Sequence, residues 1–109
     1  MRTEGQKQSK RHENRLAKKV GGSTTAASGA FWSRKGDVRS DDLLIEHKWT
    51  GKKQFTLKAD VLKKITEEAI MDGRMAVLGV HLDGKDYVIM DENDFLEMRD
   101  LIRNLDVRP

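Results

Sequence analysis

Apolar positions along this chain change period several times, and each change marks an element. Leu16, Ala17 and Val20 recur at helical spacing behind Ser9, a cap for a helix ending at Gly21-Gly22. Before Ser9 the chain is polar, carries Gly5 and has no apolar period, so residues 1–8 are expected to be a disordered basic arm. Residues 9–109 then form one domain. The small residues from Gly22 to Ala30 suit a short strand and a turn at Ser28-Gly29, and let another backbone or a nucleic acid come close. Gly36 to Lys48 reads as two short strands about the polar turn Ser40-Asp41-Asp42-Leu43. Thr56 is placed to cap a helix whose stripe is Leu57, Val61, Leu62, Ile65, Ala69 and Ile70, with Asp72-Gly73 as its stop. Met75 to Leu82 is nearly all apolar, as in a strand buried on both faces. Asp83-Gly84 turns it into a strand from Asp86 to Met90. Asp91 caps a last helix with the stripe Phe95, Met98, Leu101, Ile102 and Leu105. Helix, three short strands, helix, two strands and helix predict an α/β (α+β) fold with a central mixed sheet flanked by helices.

The first hairpin carries the chemistry. With Asp41 and Asp42 as loop residues, the antiparallel register opposes Asp37 to Glu46, their Cβ atoms roughly 4.5–5.5 Å apart. Two carboxylates so placed repel each other unless a cation lies between them, and a hard divalent ion with oxygen ligands meets that need. Lys48 falls on the Glu46 face because strand side chains alternate. An acid pair and a lysine around one point suit metal-assisted phosphodiester hydrolysis. His47 is directed to the other face and reads as packing or backbone-bonded. Glu13 leans toward the inward side of the first helix. An ion pair with Lys10, Arg11 or Arg15 is the plainer reading of it.

Composition narrows the function classes. The chain has 109 residues, no cysteine and a net charge of +3. Neither a disulfide framework nor a thiolate zinc site is available, and three scattered histidines lack ligand spacing. The longest apolar run is strand length, so a soluble, cytoplasmic protein with no membrane partner is expected. Residues 1–39 carry ten Lys or Arg against three acids, and residues 40–109 carry eleven against fifteen. A basic end on a mildly acidic body suits a polyanion. Phe31, Trp32, Arg34 and Lys35 can grip nucleic acid by stacking and charge, or the two aromatics can be core. Lys52 and Lys53 add cations in the loop that leaves the proposed site.

Gly36-Asp37-Val38 followed by Leu44-Ile45-Glu46-His47-Lys48 resembles the D…ExK core of the PD-(D/E)xK nuclease superfamily. Within it, the chain looks like the small Holliday junction resolvases of archaea and phages, from about Glu13 to Met90. The resemblance implies a restriction-endonuclease-like core and a homodimer that cuts a four-way DNA junction by two symmetric nicks. It further implies Mg²⁺ or Mn²⁺ on Asp37 and Glu46, helped by the His47 main-chain carbonyl. Glu13 would complete the site directly or through water, and Lys48 would assist the attack. Ser28 would lie near the scissile backbone, with Lys10, Arg11, Arg34, Lys35, Lys52 and Lys53 as DNA contacts. A basic residue common before the Ser-Gly turn in archaeal members is missing from Thr24-Thr25-Ala26-Ala27, and His47 stands where an aliphatic residue is usual. That phosphate contact is either absent or supplied by Arg34 and Lys35. Two other readings stay open: a flap or branched-DNA nuclease of the same superfamily, and a basic DNA-binding module whose Asp37, Glu46 and Lys48 form an ordinary ion cluster.

Overall fold

The structure, a computed structural model, describes residues 3–24 and 37–105. The elements are α1 (Glu4–Val20), β1 (Ser23–Thr24), β2 (Val38–Arg39), β3 (Leu43–Trp49), α2 (Ala59–Met71), β4 (Met75–Leu82), β5 (Lys85–Ile89) and α3 (Glu92–Leu105). Their order is the one the periodicity predicts. The strands form a mixed sheet in the order β1-β2-β3-β4-β5. Only the central β3–β4 pair is parallel, with α2 making the crossover between them.

α1 begins six residues earlier than the Ser9 cap predicts. Thr3 accepts from the Gln6 N–H while the Gln6 side chain accepts from the Thr3 N–H, so a capping box outweighs the cost of Gly5. Residues 4–8 are therefore the first turns of a helix rather than part of a disordered arm. The stop is as expected: Gly21 takes the left-handed conformation at φ 69°, and the Gly22 N–H reaches back to the Ala17 carbonyl at 2.8 Å. α2 also departs from expectation. It starts at Ala59 behind Lys58, which makes no side-chain cap bond, so Thr56 does not cap it and Leu57 lies outside the helix. At the other hairpin, Asp83 and Gly84 both have positive φ, as a tight two-residue turn requires.

Each sheet face has its own small core. α1 covers one face, with Ala17 packed among Val38, Ile45 and Val77 and flanked by Leu16, Val20 and Leu43. α2 covers the other, where Ile65 and Ala69 pack on Leu44 beside Ala76. Val77 to Val80 are buried, as predicted for a strand covered on both sides. α3 buries none of its residues among the described ones.

Candidate functional site

The β2–β3 hairpin has the predicted register. Val38 pairs with Ile45 and Arg39 with Leu44, and the Ser40 N–H reaches the Leu43 carbonyl at 3.0 Å. The ladder ends there: the Asp37 N–H also points at the Ile45 carbonyl, 2.8 Å away, so Asp37 lies in a bend before β2 rather than directly opposite Glu46 as the count predicts, though near enough for its charge to act on the Glu46 carboxyl. Ser40 fixes the turn chemically: its hydroxyl donates to Asp42 at 2.8 Å and accepts from the Leu43 N–H at 3.1 Å. Arg74 donates to the Ser40 carbonyl at 2.7 Å, and both Arg39 and Arg74 pair with Asp72 at the end of α2. The hydrogen bond from Arg39 is the main reason the Asp72 carboxyl lies below its usual range. This latch, which sequence reasoning missed, fixes the hairpin against the helix that covers it.

Since Leu44 packs on α2 and Ile45 on α1, strand alternation sends Glu46 and Lys48 to the α2 face and His47 to the α1 face. Lys48 Nζ lies 3.5 Å from Glu46 Oε2. Burial, and next the Asp37 charge, raise the Glu46 carboxyl above its ordinary value, although Lys48 and Lys64 pull the other way. Asp37 Oδ2 accepts from the His47 N–H at 2.8 Å, and the Asp37 N–H donates to the Ile45 carbonyl. A strand residue turns its N–H and C=O to the same edge, so the His47 carbonyl also lies on the Asp37 side of β3.

Glu13 approaches from α1. A Cβ on Gly22 would meet the Arg39 backbone, and one on Gly5 would sit 4.0 Å from the Trp49 ring, so α1 runs antiparallel to β3. Ala17 packs on Val38, and Glu13, one turn earlier on the same row, is carried toward the Asp37 end of β2. Its Oε1 is 3.9 Å from Lys10 Nζ, a loose form of the ion pair expected from sequence. Arg11 is exposed on α1, and Lys52 and Lys53 are exposed just after β3. Ser28, Phe31, Trp32, Arg34 and Lys35 lie outside the described residues. Trp49 belongs to the opposite face from the carboxylates, its ring parallel to His81 with centroids 6.5 Å apart.

That opposite face gathers the three histidines, which were distant in sequence. His12 stacks on His81 at 4.0 Å and lies 5.9 Å from His47. Asp86 opposes His81 across the β4–β5 ladder, accepting from its Nδ1 at 2.8 Å and from Arg15 at 3.2 Å. His12, His81 and Asp86 bring ligand atoms within 4.8 Å of one another. Two features work against a metal there: Arg15 occupies the shared carboxylate oxygen, and stacked imidazoles direct their in-plane lone pairs side by side. The two-residue Asp83-Gly84 turn was the signal that could have paired His81 with Asp86.

His47 is 5 % exposed and its Nδ1 has no hydrogen-bond partner. Burial foremost, with His12 and Arg15 adding to it, lowers its pKa from 6.5 to about 4. The folded state therefore holds this ring neutral where the unfolded chain protonates it. Its contribution to stability is complete above about pH 6.5 and is lost as the pH falls toward 4, by about 3 kcal/mol at most. Urea unfolding at pH 7 and pH 4.5 checks this. His47→Gln should flatten the pH dependence over that window, and an equal slope in both proteins would refute the assignment.

Among the described residues no helix is long and apolar enough to cross a membrane. Comparison of the chain with protein-family models, curated proteins and solved structures finds no match in any of the three.

Proposed function

We propose that the chain is a metal-dependent, structure-specific endodeoxyribonuclease that resolves four-way DNA junctions through Asp37, Glu46 and Lys48. What supports it chiefly is one cluster at the β2–β3 hairpin: Asp37 lies near enough to Glu46 to add to burial in raising the Glu46 carboxyl, and Lys48 Nζ is 3.5 Å from Glu46 Oε2. Oxygen donors alone favour a hard cation such as Mg²⁺ or Mn²⁺. Asp37 and Glu46 would hold it, the His47 carbonyl lies on the edge where it could join them, and Glu13, on the strength of the resemblance, would complete the set directly or through water. When bound, the cation supplies a Lewis acid for the phosphoryl oxygen and a water activated for attack. Lys48 leaves its partner Glu46 to orient that water or to meet charge developing on the phosphate. Lys10, Arg11, Lys52 and Lys53 attract the DNA backbone, together with Ser28, Arg34 and Lys35 on the strength of the resemblance. Two copies about a two-fold axis supply the two centres that symmetric nicking needs.

Cleavage of an immobile four-way junction, a matched linear duplex and a flap, each with Mg²⁺ and with EDTA, tests the reading. Paired symmetric nicks confined to the junction and lost with EDTA are expected. Metal-dependent cutting of the flap alone would keep the centre and change the substrate. Binding without cutting in Mg²⁺, or in Mn²⁺ in its place, would leave only a DNA-binding module. Lys48→Met should lower turnover by about 10²–10³-fold while junction affinity changes little, as for loss of one charge-stabilising donor. Equal losses in affinity and turnover would make Lys48 a phosphate contact only.

A further inference from the structure

α3 is a 14-residue helix none of whose residues is buried among the described ones. Phe95, Met98, Leu101, Ile102 and Leu105 are 39–78 % exposed. An isolated helix of about 12–15 residues is marginal in water, and soluble monomers rarely leave an apolar patch above a few hundred Å² uncovered. With Leu96, these side chains amount to roughly 700 Å² per copy, close to the roughly 800 Å² that each partner contributes to a stable interface.

We infer that α3 is the contact between two copies of this chain, packing on its own counterpart across a two-fold axis. Phe95, Met98, Ile102 and Leu105 follow one another at intervals of three, four and three, the spacing of a two-helix seam, and a seam read from one helix is complementary to itself. Charge selects the direction. The first half of α3 carries Glu92, Asp94 and Glu97, and the second half carries Arg99 and Arg103, with Asp100 as the exception. Antiparallel packing sets acidic half against basic half and opposes the two helix dipoles, whereas parallel packing would align like charges. Among the described residues no other element exposes so long an apolar row: β5 exposes Tyr87 and Val88, but these are adjacent strand residues that alternate to opposite sheet faces. α2 exposes Ile70 and Met71, but these are two residues at one helix end beside Asp72. The inference gives a surface to the dimer that the proposed function needs, yet it stands on the uncovered helix and not on the nuclease reading.

Light scattering after size exclusion of the full chain is the test, with Ile102→Glu and Leu105→Glu as disrupting variants and Ile70→Glu as control. Because neither Ile102 nor Leu105 is buried among the described residues, neither disrupting variant should unfold the sheet, which unfolding curves monitor. The expected result is twice the 12.4 kDa chain mass for the native protein and for Ile70→Glu, with dissociation promoted about 30-fold or more by either α3 change. Loss of α-helical circular dichroism on dilution should accompany it. A native monomer, a dimer indifferent to both α3 changes, or one split by Ile70→Glu instead would overturn the assignment. Inactivity of an intact dimer on every DNA substrate would count against the nuclease reading and leave the interface standing.

Discussion

Asp37→Asn and Glu46→Gln should each reduce cleavage of a four-way junction by about 10³-fold or more, while junction binding is retained or strengthened. Each substitution removes one charged oxygen ligand at nearly constant shape, so the loss should be at least that of a single electrostatic donor, about 10²–10³-fold. Affinity should rise for a separate reason: removing a carboxylate removes repulsion of the phosphate where no cation screens it. The two variants should differ in folding. Glu46 is raised in pKa by burial and by Asp37, so neutralising it relieves a desolvated charge, and Glu46→Gln is expected to be neutral or mildly stabilising. Asp37 accepts from the His47 N–H, and Asp37→Asn weakens a charge-assisted bond that links β2 to β3. Junction cleavage under single-turnover conditions, with binding measured in Ca²⁺ or EDTA, separates the effects. Full activity in either variant would remove the assigned ligand.

The second large effect concerns a position with no chemistry. Gly22→Ala should destabilise the fold by about 2–3 kcal/mol, lowering the melting temperature by roughly 10 °C or more. An added Cβ would clash with the Arg39 carbonyl group, 2.7 Å from its carbon, and would lie 3.1 Å from Ser40 Cα. These are backbone atoms, so no rotamer relieves the clash and β1 must move off β2. Arg39 also holds Asp72 in the hairpin latch, and displacement should carry through to the Val38–Ile45 pairing and the Asp37 bend beside it. Gly21→Ala is the comparison. A Cβ there meets nothing, and the cost is only the left-handed conformation, about 1–2 kcal/mol. Thermal or urea unfolding that ranks Gly22→Ala no worse than Gly21→Ala would show that β1 is held loosely.

What was legible in the chain depended on how local the cause was. The Asp41-Asp42 turn and the two-residue strand period act within ten residues, and they are enough to pair Val38 with Ile45 and bring Asp37 near Glu46, but not to show the bend that turns the Asp37 N–H onto the Ile45 carbonyl. The Asp83-Gly84 turn and the Asp91 cap are equally local, the latter accepting from the Asn93 and Asp94 N–H groups. The start of α1 is less legible, because Gly5 and the polar run around it mask the Thr3–Gln6 capping box that sets it. The histidine group needed tertiary information. Parallel pairing sets Trp49 beside His81, and only the docking of α1 brings His12 between His81 and His47. The α3 stripe was visible as a helix face, but its spacing could not tell that the partner lies outside the subunit. The same holds for the Arg39–Asp72–Arg74 latch, whose members are 33 residues apart at the widest hydrogen-bonded pair.

Paramagnetic broadening by Mn²⁺ in amide-resolved nuclear magnetic resonance spectra tests the central claim most directly, because it locates even weak binding. At substoichiometric Mn²⁺ the amides of Asp37, Glu46, His47 and Lys48 should broaden first, excess Mg²⁺ should reverse the effect, and Glu46→Gln should abolish it. Broadening that leaves the hairpin untouched, or persists there unchanged in both Glu46→Gln and Asp37→Asn, would contradict a metal centre at Asp37 and Glu46.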